Sequence, residues 1–375
     1  MDKNNPFSLV YNPDHFCDRE QELRQLESNA FNGINTVIHS PRRLGKSFLI
    51  RHLFHQMEKE NLVKTIYVDL FATENMEDLI QNLSTKVLDT FHRRNLFKGI
   101  EQVLKGLNPT VSFDRDGTPK FSLEINPKQY NSSLEQIFSY LEKRNKKVLI
   151  AFDEFQEVAG YPEKAEAMLR SQIQTLNNVN FIFSGSTGHI LQEMFLGAKR
   201  PFYQSADVLV LRKIDRDIYK PFIVTTFKNG GKNIDPEAVD FILEFTEIHT
   251  YYTEMLCNVC FSQTKKALTL EMAEDMAIKF LENRKFDYLN ILNLMTENQK
   301  KLLKAVALEG EVTKPNANEF IQKNNLPAAS SINQALKVLL NKEILFQTVS
   351  GYKVYDVFLR RFIERYFSQQ RGISR

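Results

Sequence analysis

Short apolar runs alternate with segments of helical periodicity along residues 34–211, and this alternation confines the chain to a narrow set of folds. The runs are "INTVIH" (34–39), "KTIYVDL" (64–70), "KVLIAF" (147–152), "NFIFSG" (180–185) and "DVLVL" (207–211). The first four each lead into a stretch such as "SFLIRHLFHQMEKE" or "AEAMLRSQIQTL", whose apolar residues recur at helical spacing. Runs of this kind read as buried strands, and their alternation with helices predicts an α/β fold with a mainly parallel sheet.

The pattern changes three times. Around 107–130, apolar alternation on either side of "DRDG" predicts a β-hairpin inserted into the sheet segment. Residues 215–290 are helical in pattern, with "PEAVDFILEFT" and "TYYTEMLCNVCFSQTKKAL". From Thr296 a capped helix ends at Gly310, a short helix (316–324) and "AASSINQALKVLLNKEIL" follow, and "FQTVSGYKVYD" makes a hairpin. That order is a winged helix-turn-helix. The expected organisation is a sheet core over 1–214, a helical lid over 215–290 and a winged helix over 291–375.

Composition narrows the class. The 375 residues are 42% hydrophobic and 25% charged, as in a folded multi-domain protein. The opening "MDKNNPFSLV" has no basic segment followed by an apolar one, and nowhere do 18 apolar residues run without charge, so the chain is expected in the cytoplasm with no membrane role. Three cysteines cannot build a disulfide framework, and Cys257 and Cys260 are expected to pack on a helix face. The net charge of +3 is too small to imply nucleic acid for the whole chain, although the segment from Thr296 to the end holds 13 Lys and Arg against 7 Asp and Glu.

"VIHSPRRLGKSFLIRHLF" (37–54) carries the chemistry. A phosphate-binding loop needs a strand to deliver the chain, small residues that let backbone N–H groups point at oxygens, and a helix whose N-terminus adds positive potential. The pattern GxxxxGK[ST] maps onto Ser40, Pro41, Arg42, Arg43, Leu44, Gly45, Lys46 and Ser47, with Ser40 in place of the first Gly and Phe48 opening the helix proper. Lys46 is assigned to the β- and γ-phosphates of ATP and Ser47 to Mg²⁺. A second acidic strand end is the discriminating context, and "KVLIAFDEFQEV" supplies it, with Asp153 for the metal and Glu154 as general base. "FIFSGS" adds Ser184 and Ser186, placed to meet the γ-phosphate or the attacking water. These features predict a P-loop NTPase.

Together the motifs resemble the AAA+-like ATPases of the archaeal ATPase family, related to the STAND and origin-recognition ATPases. "FCDREQELRQLE" (16–27) is similar to the family's FxGREEEL box, "SPRRLGKSFLI" to its GPRRxGKTSLI loop and "LIAFDEFQ" to its hhhhDEhQ strand. The resemblance implies that the first box, with Arg19, lines the adenine site. Cys17 and Asp18 stand where a small residue and Gly are usual. "RPFYQSADVLVLRKI" (200–214) is similar to the family's PLYGRA-type segment, but its Gly-Arg is replaced by Gln204-Ser205, leaving Arg200 or Arg212 as candidate charge-stabilising groups beside a plain surface role. "IHTYYTEMLCN" (248–258) is similar to the lid stretch of the family, where His249 and Tyr251 either approach the nucleotide or pack the lid.

The expectation is a slow or partner-stimulated ATPase, capable of nucleotide-dependent oligomerisation, acting as a switch relayed through the winged helix to an unknown protein partner. The alternative is a DNA-binding ATPase that places Ser330, Ser331, Asn333, Gln334 and Lys337 in a major groove and Tyr352 and Lys353 on the backbone, so that 330–353 contacts duplex DNA. Few positive charges on that helix favour the protein partner.

Overall fold

The computed structural model describes residues 5–92, 109–113, 119–123, 125–186 and 188–368. Tyr11–Lys213 forms one compact unit, and Ile214 onward, joined by the N-terminal residues up to Val10, forms a second.

The strands of the first unit are β1 (Thr36–His39), β2 (Lys64–Asp69), β3 (Pro109–Phe113), β4 (Pro119–Leu123), β5 (Val148–Asp153), β6 (Val179–Ser184) and β7 (Asp207–Val210). Its α-helices among the described residues are α1 (Glu20–Phe31), α2 (Lys46–Lys59), α3 (Met76–His92), α4 (Tyr130–Glu142), α5 (Ala165–Ile173) and α6 (Gly188–Leu196). Five strands make one parallel sheet in the order β2, β5, β6, β1, β7.

Successive residues of a strand go to opposite faces, so a strand covered on both sides needs apolar residues throughout. Ile150, Phe152, Phe181 and Phe183 accordingly join Leu79, Leu134 and Leu169 in one core. Leu149, Ala151 and Ile182 join Leu26, Leu49, Ile50 and Leu53 of α1 and α2 in the other. β7 departs from the sequence reading of a buried strand. It is an edge strand paired with β1, and Val208 and Val210 are exposed while Leu209 alone of the four is buried. The periodicity of a short apolar run does not tell an edge from a centre.

β3 and β4 pair antiparallel as a separate two-stranded sheet, with Thr110 opposite Ser122. The "DRDG" turn between them lies outside the described residues.

The second unit begins with α7 (Arg216–Asn229), followed by β8 (Asn233–Ile234), α8 (Pro236–Phe245), α9 (Thr250–Gln263), β9 (Ala267–Leu268), α10 (Leu270–Asn283) and α11 (Lys285–Asn293). The sequence pattern places the residues up to Val10 with the sheet segment, but they group here because Phe7 is wholly buried, 5.1 Å from the ring of Phe227 and 6.0 Å from that of Phe261. Asn5 fixes the approach by donating to the Asn258 carbonyl at 2.9 Å and Ser262 Oγ at 2.8 Å. Cys257 and Cys260 are buried on α9, and burial pushes the Cys260 thiol up to about 12.

The winged helix comprises α12 (Glu297–Glu309), α13 (Asn318–Lys323), α14 (Ala329–Asn341), the antiparallel pair β10 (Leu345–Gln347) and β11 (Tyr352–Val354), and α15 (Val357–Phe367). Thr296 and Gln299 close a capping box at the start of α12, satisfying two backbone donors. α15 ties the winged helix to the preceding helices: Phe358 packs on Tyr252 and Phe280 with centroids at 4.9 and 4.7 Å, Arg360 pairs with Glu247, and Arg361 donates to the carbonyls of Glu244 and Phe245. Among the described residues, no helix is long and apolar enough to cross a membrane.

Candidate active site

The sheet order sets the site. β6 lies between β1 and β5, with Ser184 opposite Ile38 of β1 and Phe183 opposite Phe152 of β5. The carboxyl ends of the three strands therefore open side by side, where ligands of open parallel sheets bind.

The loop from β1 to α2 turns on Arg43 and Gly45, whose φ values are 61° and 96°. Glycine takes the second without a Cβ penalty, and it caps α2 so that Lys46 and Ser47 form the first helical turn. Ser40, at the position of the family's first Gly, is buried and needs no left-handed backbone. Its hydroxyl donates to the Pro41 carbonyl at 2.8 Å. Lys46 is 6% exposed and its ammonium donates to the carbonyls of Ser40 and Pro41 at 3.3 and 3.1 Å. Burial holds it below the usual lysine range, opposed by Asp153 and Glu154. Phe48 meets Tyr11 edge-on at 5.8 Å, while Leu44 is buried beneath the loop.

Asp153 ends β5 at 4% exposure, and both its oxygens are used. Oδ2 accepts from Ser47 Oγ at 2.7 Å and from the Tyr67 hydroxyl, and Oδ1 accepts from Ser184 Oγ at 2.6 Å and the Glu154 N–H at 3.1 Å. Glu154 leaves the strand in a left-handed turn, φ 55°. Its Oε2 accepts from Ser186 Oγ at 2.7 Å, the Ser186 N–H at 3.1 Å and Gln156 Nε2 at 2.6 Å. Six residues read from sequence, Lys46, Ser47, Asp153, Glu154, Ser184 and Ser186, thus meet in one cluster.

Two others do not join it. Arg200 is engaged by Glu166 at 2.6 Å and Glu193 at 3.7 Å, and burial raises Glu166 although Arg200 pulls it down. This is a structural ion pair rather than a charge aimed at the loop. Arg19 is buried, pairs with Glu22 at 3.1 Å and donates to the Arg212 carbonyl at 2.7 Å, pinning the start of α1 to the chain after β7. Asp18 and Arg19 both have positive φ, 59° and 75°, which accounts for glycine at the first of these places in the family's box. Phe16 of that box stacks on His52 of α2, 3.9 Å between centroids.

Tyr67, Gln156 and His39 also border the site, although the sequence motifs assign them no role. Tyr67 sits on β2, next to β5, with Arg51 over its ring at 4.9 Å, and burial together with Asp153 pushes its hydroxyl well above the usual tyrosine range. His39, the last residue of β1, accepts from Gln192 Nε2 at 2.8 Å, and burial with the nearby Lys46 holds it below the usual histidine range. "DEFQ" could have pointed to Gln156. Nothing in "TIYVD" distinguishes Tyr67 from a core aromatic.

The profile of a family described as an ATPase domain predominantly from Archaea matches residues 16–241, from the box around Arg19 into α8. The chain belongs to this family. A second profile, of a winged helix domain, matches residues 286–365. Among solved structures, a Walker-type ATPase of Pyrococcus abyssi is similar over 96% of this chain and 99% of its own, at 18% identity and TM-score 0.65. The Aeropyrum pernix ORC2 protein, solved as ADPNP–ADP complexes, is 14% identical over 98% of each chain, TM-score 0.59. The ORC1 protein of the same organism, solved in complex with DNA, is 15% identical over 99% of this chain and 98% of its own, TM-score 0.54. No curated protein matches. This archaeal-type ATPase domain, with its parallel P-loop sheet, is thus joined to a winged helix in one chain.

Proposed function

We propose that the chain binds Mg-ATP on the loop Ser40–Phe48, hydrolyses it slowly, and uses the cycle as a switch that the winged helix relays to a protein partner. The observation that carries this reading is the convergence of Lys46, Ser47, Asp153, Ser184, Glu154 and Ser186 at adjacent strand ends.

The donor set fits Mg²⁺. A hydroxyl and a carboxylate 2.7 Å apart, Ser47 and Asp153, are hard oxygen donors of the kind the ion prefers. When bound, the ion would neutralise phosphate charge and fix phosphate orientation. Lys46 would exchange the Ser40 and Pro41 carbonyls for phosphate oxygens, restoring a full anion to a buried ammonium. Glu154 would accept a proton from the attacking water, with Ser184 and Ser186 beside it. Catalysis of this type is positioning and electrostatics.

Slow turnover follows from the charge count. Arg200 and Arg19 are both held by carboxylates and do not reach the loop in this state, and a positive charge supplied by a partner or a second copy of the chain would then speed the reaction. The protein-partner reading draws on the wing. Lys353 pairs with Glu311 at 3.3 Å and Lys323 with Glu309 at 2.8 Å, which spends two cations internally, and Val349 at the wing tip is fully exposed. Duplex DNA is the second reading. It is favoured by the likeness to the ORC1 protein solved with DNA and by the exposure of Ser330, Asn333, Gln334 and Lys337 on α14.

The test is Mg²⁺-dependent ATP turnover and nucleotide affinity of the wild type beside Lys46→Ala, with and without duplex DNA, followed by gel filtration with ATP. Loss of binding and turnover in the variant alone supports the site. Stimulation by DNA that weakens with salt moves the partner assignment to nucleic acid, and absence of nucleotide binding in both proteins overturns the reading.

A further inference from the structure

The two oxygens of Glu154 have different surroundings. Three donors converge on Oε2: the Ser186 hydroxyl at 2.7 Å, the Ser186 N–H at 3.1 Å and Gln156 Nε2 at 2.6 Å. No hydrogen bond to Oε1 is found among the described residues. Gln156 is 5% exposed, and its amide orientation is fixed chemically. The NH₂ group also donates to Glu157 Oε1 at 3.1 Å, and only that end can face two carboxylates. The carbonyl end, Oε1, is then turned toward Gly185 and is buried without a partner. A Cβ on Gly185 would lie 2.0 Å from that oxygen. The glycine leaves room for the amide beside it, and since the acceptor end is orphaned, it is the two hydrogen bonds of the NH₂ end to Glu154 and Glu157 that hold Gln156 there.

We infer that Gln156 and Ser186 are positioning residues that anchor the general base by one oxygen, leaving Glu154 Oε1 as the oxygen that takes the proton from water, and that Gly185 keeps the space Gln156 needs. This rests on the hydrolase reading above. A carboxylate on a flexible two-carbon stem has rotamers to lose, and three donors on one oxygen select a single one. Backbone geometry agrees: the left-handed turn at Glu154, with its N–H on Asp153, aims the stem off the strand toward the residues after β6. The unequal burden also separates the roles of two adjacent acids. Asp153 takes hydroxyls from Ser47 and Tyr67 on Oδ2 and from Ser184 on Oδ1, whereas the one hydroxyl on Glu154 comes from Ser186, in the segment following Ser184.

The experiment measures kcat, KM for ATP and the affinity of a fluorescent ATP analogue for the wild type, Gln156→Ala, Gln156→Glu, Ser186→Ala, Ser186→Thr and Gly185→Ala. The expected result is a fall in kcat of about 10- to 100-fold in Q156A and S186A, with KM and analogue affinity within about twofold of wild type, as for a displaced reacting group. Q156E, which sets a third carboxylate against Glu154 and Glu157, should fall further. S186T, keeping the hydroxyl, should recover most of the loss, and G185A should reproduce Q156A by expelling the amide. Unchanged kcat in Q156A and S186A overturns the anchor while leaving the hydrolase reading intact, and so does a parallel loss of analogue affinity. A wild type that binds the analogue without turning over ATP overturns the hydrolase reading and the anchor with it.

Discussion

The strand ends of the first unit and the wing of the second both gather polar side chains around a carboxylate, yet they differ in what the gathering leaves over. At Asp153 and Glu154 the donors are hydroxyls, an amide and backbone N–H groups, none of which brings a countercharge, and the nearby Lys46 keeps a position from which a phosphate can replace two carbonyls. At Glu311 the donors are Thr348, Ser350 and the ammonium of Lys353 at 3.3 Å, with the Ser350 hydroxyl chief among the causes holding the carboxyl down at about 2. There a cation and an anion cancel on a half-exposed surface. A cluster that neutralises itself stabilises a loop, while one that leaves opposite charges facing a gap is arranged for a ligand.

The largest effect expected from breaking this contrast is at Glu154. Glu154→Gln should lower turnover by about 10²- to 10³-fold while ATP binding is kept, since the amide retains the shape but not the basicity. Single-turnover hydrolysis beside analogue binding checks it, and equal turnover would remove Glu154 from the chemistry.

A carboxyl in the second unit offers the next. Burial pushes Glu254 up to about 7, against the hydrogen bond that Tyr219 Oη donates to it at 3.1 Å. Between the ordinary carboxylate range and pH 7 the folded chain then holds a proton that the unfolded chain has released. Its contribution to stability is complete below that range and is lost as pH rises through about 7, by ~3 kcal/mol. Urea midpoints of this chain and Glu254→Gln at pH 5 and pH 8 measure the difference, which should shrink in the variant. Parallel slopes would assign the proton elsewhere.

Tyr67→Phe sharpens the comparison on the other side. It removes one of two hydroxyl donors from Asp153 Oδ2 and should lower the Mg²⁺ concentration for half-maximal turnover about threefold, a change of less than ~1 kcal/mol. An unchanged Mg²⁺ requirement would make Tyr67 a packing residue. Smallest of all, Glu311→Gln should speed hydrogen exchange at Ser350 and Gly351, whose amides donate to Thr348 Oγ1 at 3.2 and 2.9 Å, about threefold and leave ATP turnover untouched.

These residues also mark how far the chemistry is legible in a sequence. Lys46 and Ser47 can be read because the loop, the strand before it and the helix after it are contiguous, so local spacing carries the geometry. Asp153 and Glu154 can be read because a fully buried strand such as β5 ends in acid only for a reason. Tyr67 is out of reach: it touches Asp153 because β2 and β5 pair with Asp69 opposite Asp153, a register set by the whole sheet. The partners of Arg200 come from α5 and α6, and the edge position of β7 comes from the order of the strands. Tertiary pairing decided each of these outcomes, and a one-dimensional pattern does not contain it.

The burial of Phe7 bears on how the second unit can be taken apart. A fragment starting at Ile214 retains the described helices of that unit but lacks the ring that sits between Phe227 and Phe261, a side chain whose burial is worth ~2–3 kcal/mol. The peptide "MDKNNPFSLV" then becomes a ligand in its own right, carrying the Asn5 amide that bonds Asn258 and Ser262. Added in trans, it should raise the melting temperature of the fragment with the logarithm of its concentration once that exceeds Kd, turning a covalent feature of the fold into a measurable affinity.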